Sequence, residues 1–169
     1  MAEIYPELDQ RLINFIKAQK VFFVATVPNN LKDEHVNLSP KGYDTLKILD
    51  NKTVVYADYP GSGNETATHL QQNGKLTIMF ASFDKTPMVL RLYGRGEAIS
   101  LDNPQGKELK ERLSNKITPY IRQLILLHIE KVKTSCGYAV PLYQYIGDRE
   151  NLITWCKRAA VTGLSLIHI

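Results

Sequence analysis

Residues 53–83, TVVYADYPGSGNETATHLQQNGKLTIMFASF, decide the fold because they admit two incompatible readings. Thr53–Tyr59 is a β-branched and aromatic run that stops at Pro60-Gly61, the mark of a strand closed by a turn. Asn64–Asn73 follows as a short helix, with Asn64 as expected N-cap and Gly74 just past its end. Lys75–Phe83 is then a second strand. The segment Gly61-x-Gly63-x-x-Thr66, with Asp84 about 20 residues on, imitates a dinucleotide-binding fingerprint. Thr66, however, stands where that fingerprint needs a third glycine for close helix–strand packing, and the helix is short. Above all, Met88–Ser100 (MVLRLYGRGEAIS) follows as another strand after only the turn Asp84–Pro87. With no helix between successive strands, no doubly wound parallel sheet develops.

The flanking sequence extends the second reading. Residues 7–20 form an amphipathic helix, with Leu12, Phe15 and Ile16 on one face. Val21–Val27 (VFFVATV) is a strand ending at Pro28-Asn29-Asn30, and His35–Ser39 alternates as a strand that is expected to stop at Pro40. Asn103–Ser114 is a polar helix, Gln123–Thr134 (QLILLHIEKVKT) a long late strand, and Arg149–Lys157 a final helix. Strands joined by short links predict a mostly β (α+β) fold, an antiparallel barrel with peripheral helices. Residues 1–163 read as one domain. The tail Leu164–Ile169 (LSLIHI) has no turn or cap and matches one reading frame of a transposase adapter, so it is expected to be non-native.

Composition narrows the function classes. The chain has 169 residues, 44% apolar, with 21 basic and 17 acidic side chains for a net charge of +4. That length buries roughly 70% of the unfolded surface without staples. Basic residues are interspersed with acids (Lys32-Asp33-Glu34), unlike the one-sided cluster of a nucleic-acid binder, though a mild surplus favours anionic ligands. No stretch is long and apolar enough to cross a bilayer, and Met1–Pro6 lacks a signal-peptide layout, so a cytoplasmic protein acting without membrane or nucleic acid is expected. The triplets at Asn37, Asn51 and Asn64 are then chance glycosylation matches. Cys136 and Cys156 form no CxxC pair, and His35, His69 and His128 have no ligand spacing, so no metal site is expected.

Two segments carry candidate chemistry. In Gly61–Thr66, glycines allow close approach, helix-start N–H groups attract anions, and Asn64 and Thr66 add donors. A plain Gly-rich turn with an Asn cap accounts for the same residues. In Val36–Gly42, alternation points Asn37 and Ser39 to one face, and Pro40 presents Lys41, a compact cation suited to a phosphate or an electron-rich ring. An ordinary exposed hairpin lysine is the competing reading. Arg91 and Arg95 share a parity and face either one groove or solvent. Cys136 and Trp155 read as packing residues.

Taken in order, VNLSPKG, VVYADYPGSGNETATHLQQNGKLTIMF, VLRLYGRGEAI and SCGYAVPLYQYIGDR resemble the pyridoxamine 5′-phosphate oxidase-like family over residues 5–158, closest to its short GSGNETA-containing branch. The resemblance implies a split β-barrel whose homodimer holds flavin mononucleotide (FMN) at the subunit interface. It places Val36, Asn37, Leu38, Ser39 and Lys41 along the ring and ribityl chain, with Lys41 and Asn37 stabilising negative charge on the reduced flavin. Tyr56 and Ala57 would contact the flavin from the next strand. Asn64, Glu65 and Thr66 stand where the oxidase has a Ser-Arg-Lys phosphate cluster. That basic cluster is missing, and Glu65 has the wrong sign. The C-terminal basic segment that grips the oxidase's substrate has no counterpart within residues 1–169. The implied function is therefore an FMN-dependent oxidoreductase of unknown substrate, with a small-molecule reductant such as NADPH. The alternative is a non-catalytic flavin or haem binding protein on the same fold.

Overall fold

The computed structural model describes residues 2–61, 63–113 and 118–161, so the tail 164–169 lies outside the described residues. Eight strands form one antiparallel sheet: β1 (Glu3–Tyr5), β2 (Phe22–Thr26), β3 (Asn37–Lys41), β4 (Leu46–Asp50), β5 (Thr53–Asp58), β6 (Lys75–Ala81), β7 (Val89–Ile99) and β8 (Gln123–Ser135). Their order is β3-β2-β6-β7-β8-β5-β4, with β1 added beside β8. β3 and β4 are the two ends and do not pair. The sheet is thus a curled, split barrel with helices at its periphery, and the parallel-sheet alternative is gone. Helices α1 (Gln10–Ala18), α2 (Glu65–Asn73), α3 (Pro104–Glu111) and α4 (Asn151–Val161) surround it. No helix among the described residues is long and apolar enough to cross a membrane.

The central strands are apolar on both parities because two cores flank them. Phe22, Val24, Tyr56, Ile78, Phe80, Leu92 and Leu127 pack inside the curl, closed by Leu8, Leu12 and Ile16 around α1 and by Leu70 of α2. Val55, Ala57, Leu124 and Leu126 face the other way, under Leu109 of α3 and Leu113. β5 and β8 feed both clusters, so their sequences read as continuous apolar runs and not as alternation.

Several element bounds differ from the sequence expectation, each for a local reason. α1 starts only at Gln10, where Asp9 caps it by accepting from the Leu12 N–H at 2.7 Å. Pro40 lies inside β3, opposite Phe23, where an end strand tolerates the missing N–H. β1 and β4 escape the pattern reading because both are short and interleaved with charges. The chain enters β4 through Tyr43 and Asp44, both left-handed at φ 60° and 55°. Such a conformation is costly for tyrosine. Here the ring packs edge-on against Tyr59 at 6.0 Å, and the hydroxyl donates to the Arg149 carbonyl.

Candidate functional site

Alternation along β3 turns Asn37, Ser39 and Lys41 inward and leaves Leu38 outward at 66% exposure. The inward groups meet the end of β5 and the turn into α2 in a cavity of about 320 Å³. Asn37, Ser39, Lys41, Asn64, Glu65 and Thr66 line it, joined by Asp58, Tyr59 and Arg122. Val36 stands outward and exposed, while Tyr56 and Ala57 are buried behind the cavity and do not line it. Lys41 nonetheless reaches Tyr56, its ammonium 5.9 Å from the ring centre.

Asp58 is the electrostatic hub. Its carboxylate accepts from Lys41 Nζ at 3.2 Å, Arg122 Nη2 at 2.8 Å and Gln123 Nε2 at 2.9 Å. The Arg122 and Asp58 side chains are only 8% and 4% exposed, so this pair is held in a medium where charge interactions are strong. Arg122 also donates to the Gly63 carbonyl at 3.2 Å, which ties the guanidinium to the glycine turn. Asn64 occupies the cap position of α2 but makes no capping bond. Its Oδ1 accepts from Gln123 at 3.0 Å instead. Asn64 thus does not give the first N–H groups of α2 the side-chain cap expected of it, and this anion-attracting helix start, with Asn64, Glu65 and Thr66, lines the cavity. Glu65 folds its carboxylate back over Gly63, so the rim carries its own negative charge.

Behind the cavity runs a buried polar chain. Asn37 Nδ2 donates to Thr26 Oγ1 at 3.1 Å and to Thr66 Oγ1 at 3.0 Å, and Thr26 Oγ1 lies 3.0 Å from Nδ1 of buried His69. Both amide hydrogens of Asn37 are engaged, so its Oδ1 is left as an acceptor. The Ser39 hydroxyl is buried with no hydrogen-bond partner among the described residues. An orphaned polar group in a ligand-sized cavity is what a ligand would satisfy.

Two phenols at the site titrate late. Burial, followed by the Asp58 carboxylate, raises the Tyr56 hydroxyl well above its ordinary value. Burial, followed by Cys156 and Tyr43, pushes Tyr59 up to about 12. Folding favours the neutral phenol, so the stability Tyr59 contributes is complete below the ordinary value near 10 and is lost as pH rises through about 12. Alkaline titration by phenolate absorbance should therefore find Tyr56 and Tyr59 silent at pH 11 in the folded protein. Among the nine tyrosines, full ionisation of all at that pH would contradict this.

Residues 8–136 match the pyridoxamine 5′-phosphate oxidase family. The chain belongs to that family. The family protein ustO of Aspergillus flavus is 38% identical over 152 residues, covering 89% of this chain and 60% of the fungal protein. The chain thus spans less than two thirds of that relative. Among solved structures, HupZ of Group A Streptococcus has a TM-score of 0.60 at 22% identity, covering 74% of this chain and 91% of HupZ. An FMN-binding protein from Syntrophomonas wolfei scores 0.50 at 19% identity, covering 70% and 80%. HutZ, a haem storage protein from Vibrio cholerae, scores 0.52 at 14% identity, covering 73% and 90%. These likenesses establish the family's split-barrel fold.

Within that frame, the residues missed in sequence are the site's most buried charges. Arg122 precedes β8 in a stretch that reads as an ordinary link, and Asp58 ends a strand beside Tyr59 with no motif. They lie 64 residues apart. A charged residue at the end of an apolar strand run was the only available signal. Other expectations resolve locally. Arg91 bonds Ser135 at 3.3 Å, whereas Arg95 pairs with Glu130 at 3.5 Å, and the bulge between Tyr93 and Gly94 separates them. Cys156 is buried, but Cys136 is exposed, contrary to its reading as a packing residue. Among the described residues no group of three His, Cys, Asp or Glu side chains is placed to hold a metal.

Proposed function

We propose that the chain is an FMN-binding oxidoreductase and that its cavity receives the flavin's phosphate and polyol. The observation that carries this reading is the cation pair Lys41 and Arg122, bridged by Asp58 beside the uncapped start of α2. The chain replaces the family's basic cluster with an arginine drawn from a distant strand end. Ser39 Oγ, Thr66 and the helix-start N–H groups add donors, and Asn37 Oδ1 accepts a ligand hydrogen. Bound FMN would supply hydride and single-electron chemistry. Lys41 and Arg122 would hold the anion and offset negative charge, while the buried Thr26–His69 contact keeps Asn37 in one orientation.

A cavity of about 320 Å³ is at the small end for cofactor sites, so the isoalloxazine would extend beyond it. A second copy of the chain would cover the ring in the homodimer we propose. Support comes from the exposed apolar groups beside the site, Val36 and Leu38 at 61% and 66%. The segment 141–150 is exposed throughout. Apolar groups concentrated in this way mark interaction surfaces.

The test is spectroscopic. The purified chain, reconstituted with excess FMN and desalted, should keep flavin absorbance, and NADPH under anaerobic conditions should bleach it. A colourless protein would defeat the reading, and a retained but unbleached flavin would favour the non-catalytic binding protein. Glu65→Gln should tighten FMN binding about threefold to tenfold at low salt by removing a like charge from the rim, with the gain shrinking as salt rises. Flavin fluorescence titration measures it. Unchanged or weaker affinity would place the phosphate elsewhere.

A further inference from the structure

A second cavity is larger than the one described above. It lies where the split barrel fails to close, between α1 and the free strand β4, and has a volume of about 800 Å³. α1 is held at its start by the Leu8 N–H donating to the Asn51 carbonyl at 2.9 Å and by Asn51 Nδ2 donating to Glu7 at 3.1 Å. Past its end, the Lys20 carbonyl lies against Gly42. The helix thus spans the split as a bridge, and the cleft opens beside it.

Its chemistry is two-sided. The inner wall is apolar, made by Ile13, Ile16, Phe22, Leu46, Ile48 and Phe80. Around the mouth stand Lys17 of α1, Lys20 just past its end, Lys47 of β4 and Arg112 after α3, all exposed, against Asp44 and Asp50. Among the described residues, none of these four cations has a carboxylate within 4.0 Å. Cations without acidic partners above an apolar floor match a ligand with an anionic head and a hydrocarbon body, since the lysine stems can also lie along the chain. An extended peptide added to the β4 edge is the less favoured occupant. β4 has five residues, carries Lys47 and Asp50, and shifts register between Ile48 and Asp50, which are the features that blunt an edge against strand addition.

We propose that this cleft binds an amphipathic organic anion of the medium- to long-chain carboxylate class, its tail against Ile13, Leu46 and Ile48 and its carboxylate among Lys17, Lys20 and Lys47. The site is separate from the flavin cavity and does not depend on the flavin reading. The experiment is isothermal titration of the full chain with octanoate and dodecanoate below their micelle concentrations. Dodecanoate should bind at least about tenfold tighter than octanoate, as burial of added methylenes requires. The double variant K17E/K47E, or K17Q/K47Q should the first fold poorly, should weaken dodecanoate at least about fivefold while leaving FMN affinity unchanged. Dodecyltrimethylammonium should bind far more weakly than dodecanoate. Absence of dodecanoate binding, equal affinity in wild type and charge variants, equal binding of the cationic detergent, or binding of an acidic peptide in its place would each overturn the proposal. Loss of FMN affinity in the charge variants would show that the two sites are one.

Discussion

Arg122→Met is expected to lower the unfolding free energy by about 3–5 kcal/mol and to weaken FMN binding by about 10- to 150-fold. The first figure follows because the substitution leaves the Asp58 carboxylate, 4% exposed, with Lys41 and Gln123 as its remaining partners among the described residues, and breaking a buried pair on one side strands the other charge. For a chain of this size the melting temperature should fall by roughly 10 °C. The second figure is the loss of one charge-assisted hydrogen bond to phosphate. The two effects can be separated. In Arg122→Met/Asp58→Asn the stranded charge is gone, so stability should largely return while FMN affinity stays low. Thermal unfolding by circular dichroism and flavin fluorescence titration read the two quantities on the same samples. If Arg122→Met keeps wild-type affinity, the phosphate is not held where we propose.

Gly94→Ala is expected to cost about 3 kcal/mol or more. Gly94 sits at the bulge where β7 changes register against β8, and a Cβ there would run into the backbone carbonyl of His128. The obstacle is main chain in the longest ladder of the sheet, so no rotamer change relieves it, and overpacking must be met by moving strands. Gly61→Ala is the control, because a Cβ at Gly61 meets nothing within 4 Å. Urea unfolding of both variants checks this, and near-native stability of Gly94→Ala would show that the β7–β8 bulge is not as tight as described.

The parts of this protein legible in sequence are those governed by neighbours along the chain. β5, α2 and β6 follow from the punctuation of residues 53–83, and the α2 stop from Gly74, left-handed at φ 68°. The inward face of β3 follows from the alternation of Asn37, Ser39 and Lys41, because side chains on a strand must alternate. β1 and β4 do not follow, since neither carries a periodic apolar pattern: β1 exists by pairing with the distant β8, and β4 is a short, charge-interleaved end strand held only by β5. The same limit applies at the site. Sequence correctly reported that no basic cluster follows Gly63, and from that alone phosphate affinity would be discounted.

Sequence by itself determined the antiparallel split barrel, the polar face of β3, the glycine turn into α2 and the family. Only the tertiary structure decided which charges the cavity owns. The pairing of Asp58 with Gln123 across β5 and β8 delivers Arg122 to the turn, and that register is a property of the closed sheet. The structure likewise diverted Asn64 from its cap to Gln123, turned the Asn37 amide into an acceptor, and left the split between β3 and β4 open as a second cleft. Each depends on contacts between segments far apart in the chain, where local periodicity carries no information and packing of the whole sheet sets the geometry.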